Sequence, residues 1–274
     1  LKIYYINLDR QPERRLRLER QLSELGLEAT RIRAVEPADI PPEVLQRYCH
    51  QRTPHFLAPA ELACTLSHVE AFKRIAAGIA PFGLVLEDDA ILSRSLPAFL
   101  AAFAGAPPPL DIVKLDALRE RVLVAAGAPA TISGISLLEV VGTRGCCGGY
   151  LISREAAARL AADPSLLNAP IDVSLYFPYE NIAKGLAIRH ADPALCTQYV
   201  GPGTDSSLDA PRSAMRQVRR HWRNIILRTI RKRRPQLHDF IQRVLGAKVV
   251  RTRVVDDLVV PYAPARPQVG QQAM

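Results

Sequence analysis

Residues 1–35 read as one βαβ unit, and that unit already commits the chain to an α/β architecture. Ile3–Leu8 is a short apolar run suited to a strand. Pro12 stands in the first turn of a helical stretch whose Leu18, Leu22 and Leu25 share one face, and Gly26 stops it. Ala29–Val35 is the next strand. The pattern continues with strands expected at Gly83–Leu86, Asp111–Leu115, Ile135–Val141, Gly149–Ile152 and Leu186–Arg189. A second amphipathic helix is expected from about Pro59 to Ala77, carrying Leu62, Leu66, Val69, Phe72 and Ala76 and ended by Gly78. Residues 36–58, with Pro37, Pro41, Pro42 and Pro54, read as an irregular surface excursion. Ala104–Pro109 reads as a turn.

Composition matters here for what it excludes. With 48% hydrophobic and 23% charged residues among 274, the chain can bury a sizeable core, so disorder is not its main state. No run of about 18 uncharged apolar residues is present, and Leu1–Leu8 reads as a strand rather than a leader, so neither a spanning helix nor a cleaved signal is expected. Five cysteines, Cys49, Cys64, Cys146, Cys147 and Cys196, lack zinc-finger spacing, and the expectation is a reduced, cytoplasmic chain. The adjacent pair Cys146-Cys147 reads as part of a tight glycine-rich bend over Gly142–Gly149 rather than as a redox pair.

The net charge of +9 is unevenly placed. From residue 209 onward there are 15 Lys/Arg against 4 Asp/Glu, whereas residues 1–208 hold 21 against 23. The expected division is therefore a near-neutral catalytic domain, 1–208, and a basic helical C-terminal extension, 209–274. Within the extension, residues 212–234 form a cationic amphipathic pattern around Trp222, suited to an anionic membrane surface on the inner face of the membrane or to packing on the body. Nucleic acid is not expected as a partner, because aromatic residues are 6% and no RNA or DNA module signature is present.

The chemistry gathers at Leu84-Val85-Leu86-Glu87-Asp88-Asp89, an apolar strand that ends in three carboxylates. Three adjacent anions need positive compensation, and a hard divalent cation, Mn²⁺ or Mg²⁺, supplies it while bridging to a diphosphate. Strand alternation sends Glu87 and Asp89 to one side and Asp88 to the other. A solvated acidic turn is the alternative. A metal-dependent nucleotidyltransferase or phosphohydrolase would also use strand-end carboxylates, but would usually want a second acidic cluster, and none is clear.

Further runs carry a resemblance. Ile6-Asn7-Leu8-Asp9-Arg10 with Pro12-Glu13-Arg14-Arg15, then Cys64-Thr65-Leu66-Ser67-His68, the Glu87-Asp88-Asp89 run, Asp111–Asp116, Gly149–Arg154, Pro170-Ile171-Asp172, and Pro193–Gln198 with Ser206-Ser207 together resemble glycosyltransferase family 25 of the lipooligosaccharide-biosynthesis type. The resemblance covers residues 2–208, and departs from the family's pattern at Ala63, where a glycine is usual. It implies a GT-A type nucleotide-sugar fold, a mixed sheet flanked by helices, and transfer of a sugar with inversion, commonly galactose from UDP-galactose, onto a glycan or lipid-linked acceptor. On that reading Asp88 and Asp89 hold the metal. Asn7, Asp9, Arg10, Arg14, Ser67, His68, Glu87 and Asp88 face the donor. Lys114, Asp116, Gly149 and Tyr150 lie toward the acceptor or sugar, with an internal ion pair as the alternative for Lys114 and Asp116 and plain turn geometry for the glycine bend. The acceptor-side base is Asp172, at the start of a helical run, with Glu180 its rival.

Overall fold

The computed structural model describes residues 1–49, 57–118, 120–143, 145–178, 182, 184–199 and 235–259. Its first elements are β1 (Lys2–Asn7), α1 (Pro12–Glu24) and β2 (Thr30–Arg33). Pro12 opens α1, where a missing N–H costs nothing, and Gly26 closes the turn after it at φ +65°. The longest helix among the described residues, α3 (Pro59–Ala77), follows a shorter α2 (Pro42–Tyr48). The Glu61 carboxylate accepts the Ala58 N–H at 2.9 Å and so caps the first turn of α3. Then come β3 (Phe82–Glu87), β4 (Ala90–Leu92), α4 (Leu96–Gly105), β5 (Ile112–Lys114), β6 (Arg121–Val124), β7 (Ala130–Ile132) and β8 (Ile135–Leu138). The last elements are β9 (Gly149–Ser153), α5 (Arg154–Ala162), α6 (Ile171–Tyr176), β10 (Ile188–Asp192), β11 (Cys196–Gln198) and β12 (Lys248–Arg251).

Eight strands form one mixed sheet in the order β2-β1-β3-β9-β5-β10-β8-β7. β1 runs parallel to both β2 and β3, with Ile6 opposite Glu87, whereas β9 is antiparallel to β3 and β5. Side-chain alternation splits the core into two layers. Ile3, Tyr5, Leu84 and Leu86 pack with Leu18 and Leu22 of α1 and Phe99 and Phe103 of α4. Ile6, Val85 and Ile152 point the other way, against Phe72 and Ile75 of α3 and Leu160 of α5. Helices thus cover both faces, and the fold has the expected class: α/β, a large mixed sheet flanked by helices.

Because β1 is flanked by β2 on one side and β3 on the other, the chain reverses direction across the sheet at β1, and a crevice opens at the C-terminal ends of these parallel strands. Residues 36–58 are more regular than expected over their described part. Pro37–Asp39 is a 3₁₀ turn, and the prolines at 41 and 42 start α2 instead of breaking it. The strand expected at Leu186–Arg189 is shifted to β10, and that expected over Ile135–Val141 stops at Leu138.

The body also takes in chain from beyond residue 209. β12 pairs antiparallel with β6, isolated bridges join Ser93 to Leu258 and Ala194 to Val254, and Arg253 donates to Asp192 at 3.1 and 2.8 Å. Glu180 and the basic segment 212–234 lie outside the described residues. No described helix is long and apolar enough to cross a membrane. None of the five cysteines is in a disulfide.

Candidate active site

The crevice is a cleft of about 420 Å³ that exposes the ends of β1 and β3, the first half of α3, the bend at Cys146-Cys147 and the start of α6. Its β3 edge holds the carboxylate triplet. Alternation carries Glu87 to the Val85 side, toward α3, where His68 Nε2 lies 3.3 Å from Glu87 Oε1; Gln198 donates to Oε2 at 3.4 Å. Asp88 turns the opposite way. Its Oδ2 accepts from Asn7 Nδ2 at 2.7 Å and its Oδ1 from Arg14 at 3.3 Å. Asp89 has the Arg14 guanidinium at 3.8 Å, and its buried Oδ1 lacks a hydrogen-bond partner among the described residues.

One guanidinium therefore faces two aspartates, and the electrostatics follow. Burial pushes the Asp88 carboxyl up against the pull of Asn7 and Arg14. For Asp89, burial and repulsion from Glu87 and Asp88 outweigh Arg14 and lift the carboxyl to about 7. Glu87 goes the other way: burial opposes its charge, but the hydrogen bond and charge of His68, with Lys114 and Gln198, hold it below the ordinary carboxylate value. Asp88 has both oxygens engaged, whereas Asp89 offers an open one, so Asp89 is the better ligand for a hard cation. A donor set of carboxylate oxygens around an unpartnered buried oxygen suits Mg²⁺ or Mn²⁺.

The cleft brings together Asn7, Arg10, Arg14, Ser67, His68, Glu87, Asp88, Asp89 and Asp172. Several of these are occupied internally. Asn7 donates to Asp88 and to the Gln11 carbonyl and accepts from Arg31, which ties the end of β1 to the carboxylate run. Ser67 donates to the Ala63 carbonyl and accepts the Val35 N–H, which ties α3 to the chain after β2. His68 is fully buried, its Nδ1 held 2.7 Å from the Tyr150 hydroxyl. Arg10 is half exposed and pairs with Glu36. Asp172, in the first turn of α6, accepts from the N–H groups of Val173 and of Cys146, whose backbone sits at φ 67°. That contact fixes the bend against α6.

The remaining expected residues do not line the cleft. Asp9 is exposed and paired with Arg31 and Arg33. Lys114 and Asp116 form a buried ion pair at 2.6 Å, and Lys114 also donates to the Cys146 carbonyl. Tyr150 is fully buried beneath His68. At Gly149 the space that a Cβ would take is filled by Cys196 Sγ, 2.6 Å away, so the missing side chain admits the sulfur and not a sugar. Conversely, Glu61 and Tyr199, and Cys64 and Gln198 for which the sequence suggested no role of their own, line the cleft. Cys64 and His68 stand four apart on one helix, a spacing legible in the sequence; Gln198 and Tyr199 reach the site through the pairing of β11 with β4.

Residues 1–175, more than half of the chain, match glycosyltransferase family 25 (LPS biosynthesis protein). A similar protein is the lacto-N-neotetraose biosynthesis glycosyltransferase LgtE of Neisseria meningitidis serogroup B, 28% identical over 173 residues; the match takes in 58% of this chain and spans 61% of that relative's length. Among solved structures, an inositol-1-phosphate CTP transferase from T. maritima aligns over 78% of this chain and 76% of its own at 12% identity, with a TM-score of 0.35, too distant to inform the site. The family match spans β1, α3, the carboxylate strand and the Asp172 turn, which line the cleft, and on it the chain belongs to glycosyltransferase family 25.

Proposed function

We propose that this chain is an inverting glycosyltransferase that moves a sugar, galactose from UDP-galactose, onto a lipooligosaccharide or other glycan acceptor. The observation that carries the reading is the carboxylate triplet at the end of β3, opening into the cleft with Asp89 Oδ1 lacking a hydrogen-bond partner among the described residues, in a chain of this family. Family membership and the likeness to a lacto-N-neotetraose biosynthesis glycosyltransferase support the reaction class.

On this reading Asp89, helped by Asp88, would hold a Mn²⁺ or Mg²⁺ ion, and that ion would supply positive charge to offset the leaving diphosphate. Arg14 adds a fixed positive charge beside it, and Arg10 stands at the rim. Asp172 takes the proton of the acceptor hydroxyl. The acceptor oxygen then bonds to the anomeric carbon as the bond from that carbon to the diphosphate oxygen breaks. UDP departs with the bonding pair, one displacement inverts configuration, and Asp172 returns its proton to solvent. Cys146, whose N–H binds Asp172, holds the carboxylate in place. The basic segment 212–234 fits this scheme as a contact to an anionic membrane carrying a lipid-linked acceptor.

A panel of UDP- and GDP-sugars, with and without Mn²⁺, tests the reading through thermal stabilisation and nucleotide release. UDP-galactose with metal should give the largest shift and metal-dependent UDP release. Stabilisation by no sugar nucleotide, or by single-stranded DNA at physiological salt instead, would reject it.

A further inference from the structure

The cleft contains a second group of ligand atoms that the transfer scheme does not use. Cys64, His68 and Glu87 each present one such atom, and the three lie within 4.8 Å of one another. Cys64 and His68 are four residues apart on the same face of α3, and Glu87 meets them from the end of β3. We infer that Cys64, His68 and Glu87 form a site for one soft divalent cation of the zinc class, distinct from the hard-metal position at Asp89.

Three features of the geometry favour this. Tetrahedral zinc at ordinary bond lengths separates its ligand atoms by about 3.3–3.6 Å. His68 Nε2 and Glu87 Oε1 already stand 3.3 Å apart, and from separations of at most 4.8 Å the cysteine sulfur has roughly 1.2–1.5 Å to close. The imidazole is also oriented as a metal ligand is. Its Nδ1 is fixed on the Tyr150 hydroxyl at 2.7 Å, in a fully buried setting, which aims Nε2 at the cleft. Finally, the donor chemistry sorts the ions. Thiolate and imidazole select zinc-like cations, while the all-oxygen set at Asp89 suits Mg²⁺ or Mn²⁺.

Charge and protons balance. Metal binding releases the Cys64 thiol proton to solvent and leaves a thiolate and a carboxylate, which together cancel the charge of the dication. The bound form would need a neutral histidine with its proton on Nδ1, facing the Tyr150 oxygen, so any proton that Nε2 shares with Glu87 leaves to solvent as the metal enters. Three protein ligands leave a fourth position open toward the cleft.

The test uses the full chain after chelator treatment, titrated with Co²⁺ alone and then with Zn²⁺ as competitor. The expected result is one tetrahedral cobalt per chain, counted by intense visible bands and a thiolate-to-cobalt charge-transfer band that Zn²⁺ removes, whatever further Co²⁺ the oxygen ligands at Asp89 take up. Cys64→Ser should abolish the charge-transfer band and weaken binding at least tenfold, whereas Cys146→Ser and Asp89→Asn should retain it. Tyr150→Phe should weaken cobalt binding by roughly tenfold while keeping the band. A band absent from the parent protein, a band that survives Cys64→Ser, or one lost in Asp89→Asn would overturn the assignment. Circular dichroism on each variant establishes that the fold is intact, and because Cys64→Ser alters one sulfur atom, the outcome does not rest on the more deeply buried His68.

Discussion

Replacing Lys114 by Met should cost about 3–5 kcal/mol, because it strands a buried carboxylate. Lys114 and Asp116 have side chains 2% and 1% exposed, and Nζ lies 2.6 Å from Asp116 Oδ1, 2.7 Å from the Cys146 carbonyl and 4.7 Å from the centre of the Tyr176 ring. Burial works against the lysine's charge, but the Asp116 carboxylate outweighs it and holds the ammonium above lysine's ordinary value. Removing the cation leaves Asp116 Oδ1 with only the Gly149 N–H, at 3.4 Å, while Oδ2 is already without a hydrogen-bond partner among the described residues. At roughly 2–4 °C per kcal/mol for a chain of this size, the melting temperature should fall by about 6–20 °C. Lys114→Met/Asp116→Asn removes the stranded charge and should recover much of the loss. Urea unfolding of wild type, both single variants and the double variant gives the coupling energy. A coupling below about 1 kcal/mol would show that the pair is not the anchor inferred from its geometry.

Other consequences are equally direct. Asp172→Asn should lower transfer turnover by roughly 10²–10⁴ with little change in UDP affinity, measured on one sample; loss of UDP binding would move Asp172 to the donor side, and near-normal turnover would pass the base role to Glu180. Gly149→Ala places a Cβ 2.6 Å from Cys196 Sγ and 3.1 Å from Leu86 Cδ2 and should destabilise by about 1–3 kcal/mol in thermal unfolding, with Cys196→Ala restoring part of it. Burial opposes the charge of Asp257, but hydrogen bonds from Ser95 and Ser93 outweigh it and hold the carboxyl below its ordinary value. Its contribution is therefore present above about pH 4 and lost as pH falls through the folded-state value, so the melting temperatures of wild type and Asp257→Asn should converge on acidification.

Much of the sheet was legible because its signals are local. Pro12, the leucine stripe and Gly26 define α1 without help from the rest of the chain, and Pro59 with Gly78 brackets α3. α4 was not foreseen, because Leu96–Gly105 is apolar nearly all round and lacks a 3.6-residue contrast to read. β12 was missed because its partner, β6, lies more than a hundred residues earlier, and no local pattern encodes that pairing. The same division runs through the site. Alternation separates Glu87 from Asp88 as expected, but β3 ends at Glu87, and beyond it Asp89 shares the Arg14 guanidinium with Asp88 instead of keeping to the Glu87 side. That Asn7 would be spent on Asp88 and Arg31, and that Cys196 would fill the space over Gly149, depend on groups brought together by the tertiary fold. Residue type and spacing were enough to nominate the carboxylate cluster, but not to say which of its oxygens stay open.

Calorimetric titration of UDP into wild type and Asp89→Asn, each with and without Mn²⁺, tests the central claim most directly. Mn²⁺ should strengthen UDP binding to wild type, and Asp89→Asn, still folded, should lose that metal-dependent gain. A gain retained in full by Asp89→Asn, or no effect of Mn²⁺ on wild type, would contradict the assignment of the cleft as a metal-assisted nucleotide-sugar site.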